Sequence, residues 1–175
     1  MTTQSTVIIG LNNPKSPTNV GAVMRAAGCY QASQVRFNGT RYSRAAKFQT
    51  DTHNARQHIE LTEMQDLTAN LADDVKIVCV ELALGATALP NFIHPEKAMY
   101  LFGPEDGSLP QELVDKADHV VYVPTVGCMN LAATVNVLLY DRLAKSSLVI
   151  DHEQQVLANR DNKNRLEVKQ TSPAD

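Results

Sequence analysis

The chain has no tryptophan, and aromatic residues make up only 5% of its 175 positions. Its three cysteines, Cys29, Cys79 and Cys128, form no C-x-x-C pair and leave an odd thiol. That pattern argues against a disulfide framework or a structural zinc site and suits a reducing cytoplasm. The five histidines, His53, His58, His94, His119 and His152, lack the spacing of a metal site, so no metal is expected. No run approaches the ~20 apolar residues of a membrane-spanning helix. Met1-Thr2-Thr3-Gln4-Ser5 has neither the basic start nor the apolar stretch of a signal peptide, and a soluble protein is expected. G-x-G-x-x-G behind a strand and G-x-x-x-x-G-K-[ST] are both missing, which removes the phosphate cradles of dinucleotide and P-loop sites. An excess of positive charge is missing too. A net charge of −3 and a pI of about 5.9 count against a protein that coats nucleic acid nonspecifically, because such binding is largely charge neutralisation.

What remains is an ordinary globular composition, 43% apolar, long enough to bury one core. Residues 1–150 read as one domain. After Leu148-Val149-Ile150 the chain turns polar, and 151–175 reads as a flexible tail. Any nucleic-acid site must be local. Arg36, Arg41, Arg44, Lys47 and Arg56 are met in their stretch only by Asp51, which fits either a local RNA site or a solvated basic loop.

Thr6–Ile9 reads as a buried strand and Gln34–Phe37 as a second strand, and short apolar runs of the length expected for strands covered on both faces occur at Lys76–Val80, Met99–Phe102 and His119–Val123. Between them lie helix signals. Asn12, Asn13, Pro14, Ser16 and Pro17 delay the first helix, so Thr18 or Asn19 is its expected cap. Thr62-Glu63-Met64-Gln65 and Ser108-Leu109-Pro110-Gln111 match capping boxes. This alternation favours an α/β fold, a mainly parallel sheet with helices on both faces. From Met129 to Leu139 the only polar side chains are Asn130, Thr134 and Asn136, so that helix is apolar nearly all round. Its second face is covered either by a second subunit or by the rest of its own chain.

Three segments carry residues suited to chemistry. In Asn19-Val20-Gly21-Ala22-Val23-Met24-Arg25, the glycine allows close approach and Arg25 offers a permanent planar cation. Asn19, Gly21 and Arg25 are expected on one side of the helix start. In Phe102-Gly103-Pro104-Glu105-Asp106-Gly107, Glu105 follows a strand end, at the carboxyl edge where ligands collect. It can hold Arg25 or a backbone amide, or serve as a turn acid. In Cys128-Met129-Asn130-Leu131, Asn130 is either a ligand contact or a helix cap.

In this order the segments resemble the three motifs of the SpoU/TrmH-type RNA methyltransferases of the SPOUT superfamily: N-x-G-x-x-x-R, then G-x-E-x-G-L, then S-L/M-N before the last helix. The resemblance covers about residues 6–145. It implies a C-terminal deep trefoil knot, S-adenosylmethionine as cofactor, a homodimer built on the last helix, and RNA methylation, with ribose of transfer or ribosomal RNA as the expected acceptor. It further implies catalytic roles for Arg25, Glu105, Asn19 and Asn130. The matching cofactor positions are Glu81, Leu82, Phe102, Gly103, Val123, Pro124, Cys128, Met129 and Leu131. RNA contacts are expected from Arg25, Arg41, Arg44 and Lys47. The sequence departs from the motifs at Cys128, where serine is usual, and at Asp106-Gly107-Ser108, where the second glycine usually comes one place later. A non-catalytic RNA-binding member and a base-methylating enzyme are the alternatives.

Overall fold

A computed structural model of the protein describes residues 6–46 and 59–168. The apolar runs become strands because each is too short for a helix and can bury both faces. β1 (Val7–Leu11) and β6 (Ala98–Phe102) are buried at every position and lie side by side, Val7 opposite Ala98 and Leu11 opposite Phe102. β2 (Gln34–Phe37), β3 (Leu61–Glu63), β4 (Lys76–Val80), β5 (Thr87–Ala88) and β7 (His119–Tyr122) complete a seven-stranded sheet in the order β3-β2-β1-β6-β4-β7-β5. Every pairing in it is parallel. Because the strands run the same way, the loops after β4, β6 and β7 leave from one edge, where parallel sheets form their sites.

Helices cover both faces. On one, α1 (Pro17–Cys29) and α4 (Leu131–Ala144) pack around Ile9, Val35, Val78 and Tyr100. On the other, Leu109, Leu113 and Val114 from α3 (Gln111–Lys116) and its lead-in cover Ile8, Cys79, Met99 and Leu101 together with Leu67. Burial raises the Cys79 thiol to about 11, so this cysteine is a packing residue rather than a nucleophile.

Several local expectations are corrected. α1 begins at Pro17 with Ser16 as its cap, the Ser16 hydroxyl accepting from Asn19 N at 3.3 Å. Proline at the first position does not delay a helix, because its missing N–H is an orphan there anyway. Residues 62–65 do not open a helix. Leu61–Glu63 pairs with β2 as an edge strand, and Thr62 Oγ1 accepts from Gln34 Nε2 instead of capping. At α3 the extended Pro110 is the cap residue and no side chain caps the helix, so Ser108 has no such role. Between 151 and 168 the chain forms an exposed helix, α5 (His152–Asn159), capped by Asp151.

Arg36 leaves the basic stretch altogether. It is only 8% exposed, with Nε donating to Gln34 Oε1 at 2.8 Å and Nη1 to the carbonyls of Leu67 and Ala69 at 3.0 and 2.8 Å. Nη1 thereby holds the chain at Leu67 and Ala69 against the sheet edge, while Nε ties the guanidinium to Gln34. Arg36→Ala should destabilise the protein by about 3 kcal/mol in urea unfolding, since one buried and one partly buried carbonyl lose a charged donor. Arg36→Lys should recover little, because one ammonium cannot supply the separate nitrogens that bond Gln34 Oε1 and the two carbonyls.

α4 is fixed at its far end. His94 bridges the Tyr100 hydroxyl (2.7 Å) and Asp141 (2.9 Å), while Lys145 donates to the carbonyls of Leu89 and Phe92. Arg142 donates to the Tyr100 hydroxyl and to the carbonyls of Pro95 and Glu96. Burial pushes the His94 imidazole below its ordinary range and raises the Tyr100 phenol to about 12, so both are neutral near pH 7. These bonds set the axial position of α4, and its N-terminus consequently reaches the carboxyl edge of the sheet. α4 is not wholly covered by its own chain: Leu131, Val135, Leu138 and Leu139 are buried, whereas Val137 and Tyr140 are 38% and 63% exposed.

Candidate active site

At the carboxyl edge, the loops after β4, β6 and β7 and the start of α4 enclose a cavity of about 400 Å³. Of the expected cofactor positions, Glu81, Leu82, Phe102, Gly103, Val123, Cys128, Met129 and Leu131 line it, and Pro124 does not. Glu105 and Asn130 line it too. Thr125 and Gly127, inside the expected Val123–Leu131 segment, also form its wall, as do Val80, Tyr122 and Thr134, which sequence reasoning passed over. Thr125 Oγ1 donates to the Gly127 carbonyl at 2.6 Å and shapes this turn. Such a hydroxyl-to-backbone turn is common in loops and carries no distinctive sequence signal.

Two carboxylates tie the loops together. Glu81 Oε2 accepts from Leu109 N at 2.8 Å, and Oε1 from Leu82 N at 3.0 Å, so it joins the loop after β4 to the loop after β6. Gly103 makes that approach possible. A side chain there would come within 3.1 Å of Leu109 N and 3.3 Å of Glu81 Oε2.

Glu105 is the second tie. Oε2 accepts from Lys15 N at 2.7 Å, and Oε1 accepts from Ser16 N and Asn19 Nδ2, both at 3.0 Å. Asn19 Oδ1 in turn accepts from Asn130 Nδ2 at 3.0 Å. The Asn130 Oδ1 caps α4, accepting from Ala132 N and Ala133 N at 2.9 and 3.3 Å. A continuous hydrogen-bond chain therefore joins all three motifs, Glu105 to Asn19 to Asn130 to the first turn of α4. Partial burial alone would raise the Glu105 carboxyl, but hydrogen bonds from Asn19, Lys15 and Ser16 outweigh it and hold the group below the usual carboxylate range. Glu105 is thus ionised near neutrality with its oxygens occupied. It is built to position its neighbours, not to collect a proton.

Of the two partners expected for Glu105, the structure gives it backbone amides and not Arg25. Nor do Asn19 and Arg25 share a side of α1. Six residues at ~100° each carry the helix about 240° round, so Asn19 turns toward Glu105 while Arg25 is exposed. Gly21 and Arg25, four apart, share the open face, and nothing lies within 4 Å of where a Gly21 side chain would begin. No hydrogen bond or ion pair to Arg25 occurs among the described residues.

Arg41 is engaged by an acid distant in sequence. Its fork meets the two Asp106 oxygens at 2.9 and 2.8 Å, and Lys15 Nζ approaches Asp106 Oδ2 at 3.5 Å. The Arg41 fork, more than any other partner, holds the Asp106 carboxyl below its ordinary range. Arg44 is exposed on α2 (Arg41–Ala46), while Lys47 and Arg56 lie outside the described residues. Among the described residues no group of three or more His, Cys, Asp and Glu side chains could hold a metal, and no helix is long and apolar enough to cross a membrane.

Comparison with known proteins accords with this arrangement. The chain is similar in fold to the TrmH/SpoU tRNA modifying enzyme of A. aeolicus, at a TM-score of 0.68 and 16% identity over 89% of this chain and 87% of that one. It is similar to a structure described as giving insight into the 2-OH methylation of C/U34 on tRNA, at a TM-score of 0.65 and 22% identity, covering 81% and 96% of the two chains. It is also similar to the SpoU methyltransferase AviRb from Streptomyces viridochromogenes, solved with the cofactor AdoMet, at a TM-score of 0.65 and 16% identity. There it covers 81% of its own length and 58% of the AviRb chain, so it spans little more than half of that protein. No curated protein matches the sequence significantly. The family model described as SpoU rRNA Methylase matches residues 6–140. With that match over most of its length, and with the three motifs hydrogen-bonded to one another at the sheet edge, the chain belongs to the SpoU rRNA Methylase family.

Proposed function

We propose that the protein is an S-adenosylmethionine-dependent RNA methyltransferase that modifies a ribose 2′-hydroxyl of transfer or ribosomal RNA in the cytoplasm. The observation that carries this reading is the chain from Glu105 through Asn19 to Asn130, which ties two residues lining the edge cavity to the first motif. The cavity suits the cofactor. Its volume of about 400 Å³ lies within the range of small-molecule sites, and its wall combines apolar Val80, Phe102 and Leu131 with the carboxylates of Glu81 and Glu105. Apolar surface suits an adenine ring, and negative charge suits a cationic sulfonium and ammonium. When bound, S-adenosylmethionine supplies an electrophilic methyl group.

The chain's own residues supply orientation and charge. Gly103 and Glu81 fix the walls of the pocket, and Asn130 fixes the start of α4 beside it. Arg25 stabilises the ribose oxygen as it becomes alkoxide-like. It cannot be the base, since a guanidinium keeps its proton above about pH 12. Glu105 is occupied as an acceptor, so water or an RNA phosphate takes the proton. Arg25 lies on the open face of α1, and α4 beside it exposes Val137 and Tyr140. Both features support a homodimer across α4 in which Arg25 serves the partner's pocket. Residues 1–150 form the catalytic domain in this reading, with 151–175 as an appended tail and a deep trefoil knot around the pocket loops.

The RNA-modifying descriptions of the similar structures support RNA as substrate, and the AdoMet complex of AviRb supports the cofactor. The test is incubation with methyl-labelled S-adenosylmethionine and RNA from cells lacking the protein, followed by counting of label precipitated with RNA. Transfer is the expected result. Cofactor binding without transfer to transfer or ribosomal RNA would favour a non-catalytic RNA-binding role, for which Cys128 in the serine position and the low net charge are the motivating features.

A further inference from the structure

We propose that Asp106 is a built-in stand-in for an RNA phosphate, seated between Lys15 and Arg41 at the rim of the pocket and displaced when the correct RNA docks. The inference rests on the RNA-methylating reading above. It adds the phosphate subsite and the residue that guards it.

The geometry is that of a phosphate site already filled. Arg41 meets both Asp106 oxygens through its two terminal nitrogens at 2.9 and 2.8 Å, the fork geometry a guanidinium uses equally for carboxylate and phosphate. Lys15 adds a second cation at 3.5 Å. Lys15 is not placed by chance, because its backbone N is held by Glu105, the neighbour of Asp106. Among the described residues, every hydrogen bond and ion pair of the Asp106 side chain goes to these two cations. The residues on either side of Asp106, Glu105 and Gly107, line the cavity. The cradle therefore stands beside the place where a target nucleotide must enter.

The contact is also easy to exchange. The side chains of Lys15, Arg41 and Asp106 are 64%, 30% and 50% exposed, and exposed ion pairs hold weakly. A phosphate offers the same paired oxygens and gains counterion release when it binds. In a protein of net charge −3, a carboxylate here also repels RNA that passes without engaging the pocket. Discrimination follows: a backbone gains both cations only if it reaches far enough to push Asp106 aside.

The test uses the full chain as wild type, Asp106→Asn, Arg41→Ala and the double variant. Each is titrated with bulk transfer RNA and with ribosomal RNA from cells lacking the protein, between 50 and 200 mM salt. Asp106→Asn should bind about 3- to 10-fold more tightly at the lower salt, with a salt dependence steeper by about one phosphate contact. In the Arg41→Ala background most of that gain should vanish. Asp106→Ser should behave like Asp106→Asn, which separates loss of charge from a side effect of the amide. Unchanged or weaker binding by both Asp106 variants, while wild type still transfers methyl, would overturn the inference and leave the function standing. A wild type that neither binds nor methylates either RNA would overturn both.

Discussion

Arg25→Ala is expected to slow methyl transfer by on the order of 10²-fold or more while cofactor affinity stays within about twofold, the pattern of losing a group that acts only as charge develops. The structure leaves Arg25 exposed on α1 and without a polar partner among the described residues, so removing it breaks no described hydrogen bond or ion pair. A stability change near zero in urea unfolding should accompany the rate loss. Arg25→Lys should recover part of the rate, because charge is kept while the planar fork is lost. Equal rates for wild type and Arg25→Ala would remove the arginine from the reaction.

Glu105→Ala should have the other large effect, of a different kind. It strips the acceptor from Lys15 N, Ser16 N and Asn19 Nδ2 at once, freeing the loop before α1 and the Asn19 amide that holds Asn130. Hydrogen bonds to a charged acceptor of this kind suggest a loss of about 2 kcal/mol of stability. Cofactor affinity should fall together with the rate, since the pocket wall is loosened before any reaction occurs. Glu105→Gln should be intermediate. Its amide nitrogen would face a backbone N–H, donor against donor, on one side. The pH dependence has a definite sign. The folded-state carboxyl lies below its unfolded value, so its contribution is complete above about pH 4.3 and is lost as pH falls through the folded value. The stability gap between wild type and Glu105→Ala should accordingly be constant near neutrality and close in acid.

The parts of the fold that could be read ahead were those written in apolar runs. The strands at Val7–Leu11, Lys76–Val80, Ala98–Phe102 and His119–Tyr122 are largely apolar stretches, and a parallel sheet is the arrangement that covers both their faces, while Gln34–Phe37 joins them with polar Gln34 and Arg36 alternating with Val35 and Phe37. β3 and β5 escaped because three and two residues, mostly polar, give no period to detect. Local signals misled where tertiary pairing overrode them: Thr62 prefers the edge of β2 to a helix cap, and Pro17 starts the helix it was expected to delay.

The site divides in the same way. The family resemblance pointed to most of the residues that wall the pocket, through the strand ends from which its loops leave. It did not reveal which neighbour each side chain chooses. Asn19 and Asn130 are 111 positions apart, and Arg41 and Asp106 are 65 apart, so their bonds exist only through the fold. Arg36 shows the converse: a basic residue in a basic stretch, yet buried against two carbonyls.

The central claim concerns the atom that receives the methyl group, and the direct measurement is alkaline hydrolysis of RNA labelled by the wild-type protein. A methylated 2′-oxygen cannot attack the adjacent phosphate, so ribose methylation leaves the label in alkali-stable dinucleotides. That is the predicted result, with the label reduced in proportion to the rate for Arg25→Ala. Label recovered wholly in mononucleotides would place the methyl on a base and contradict the account.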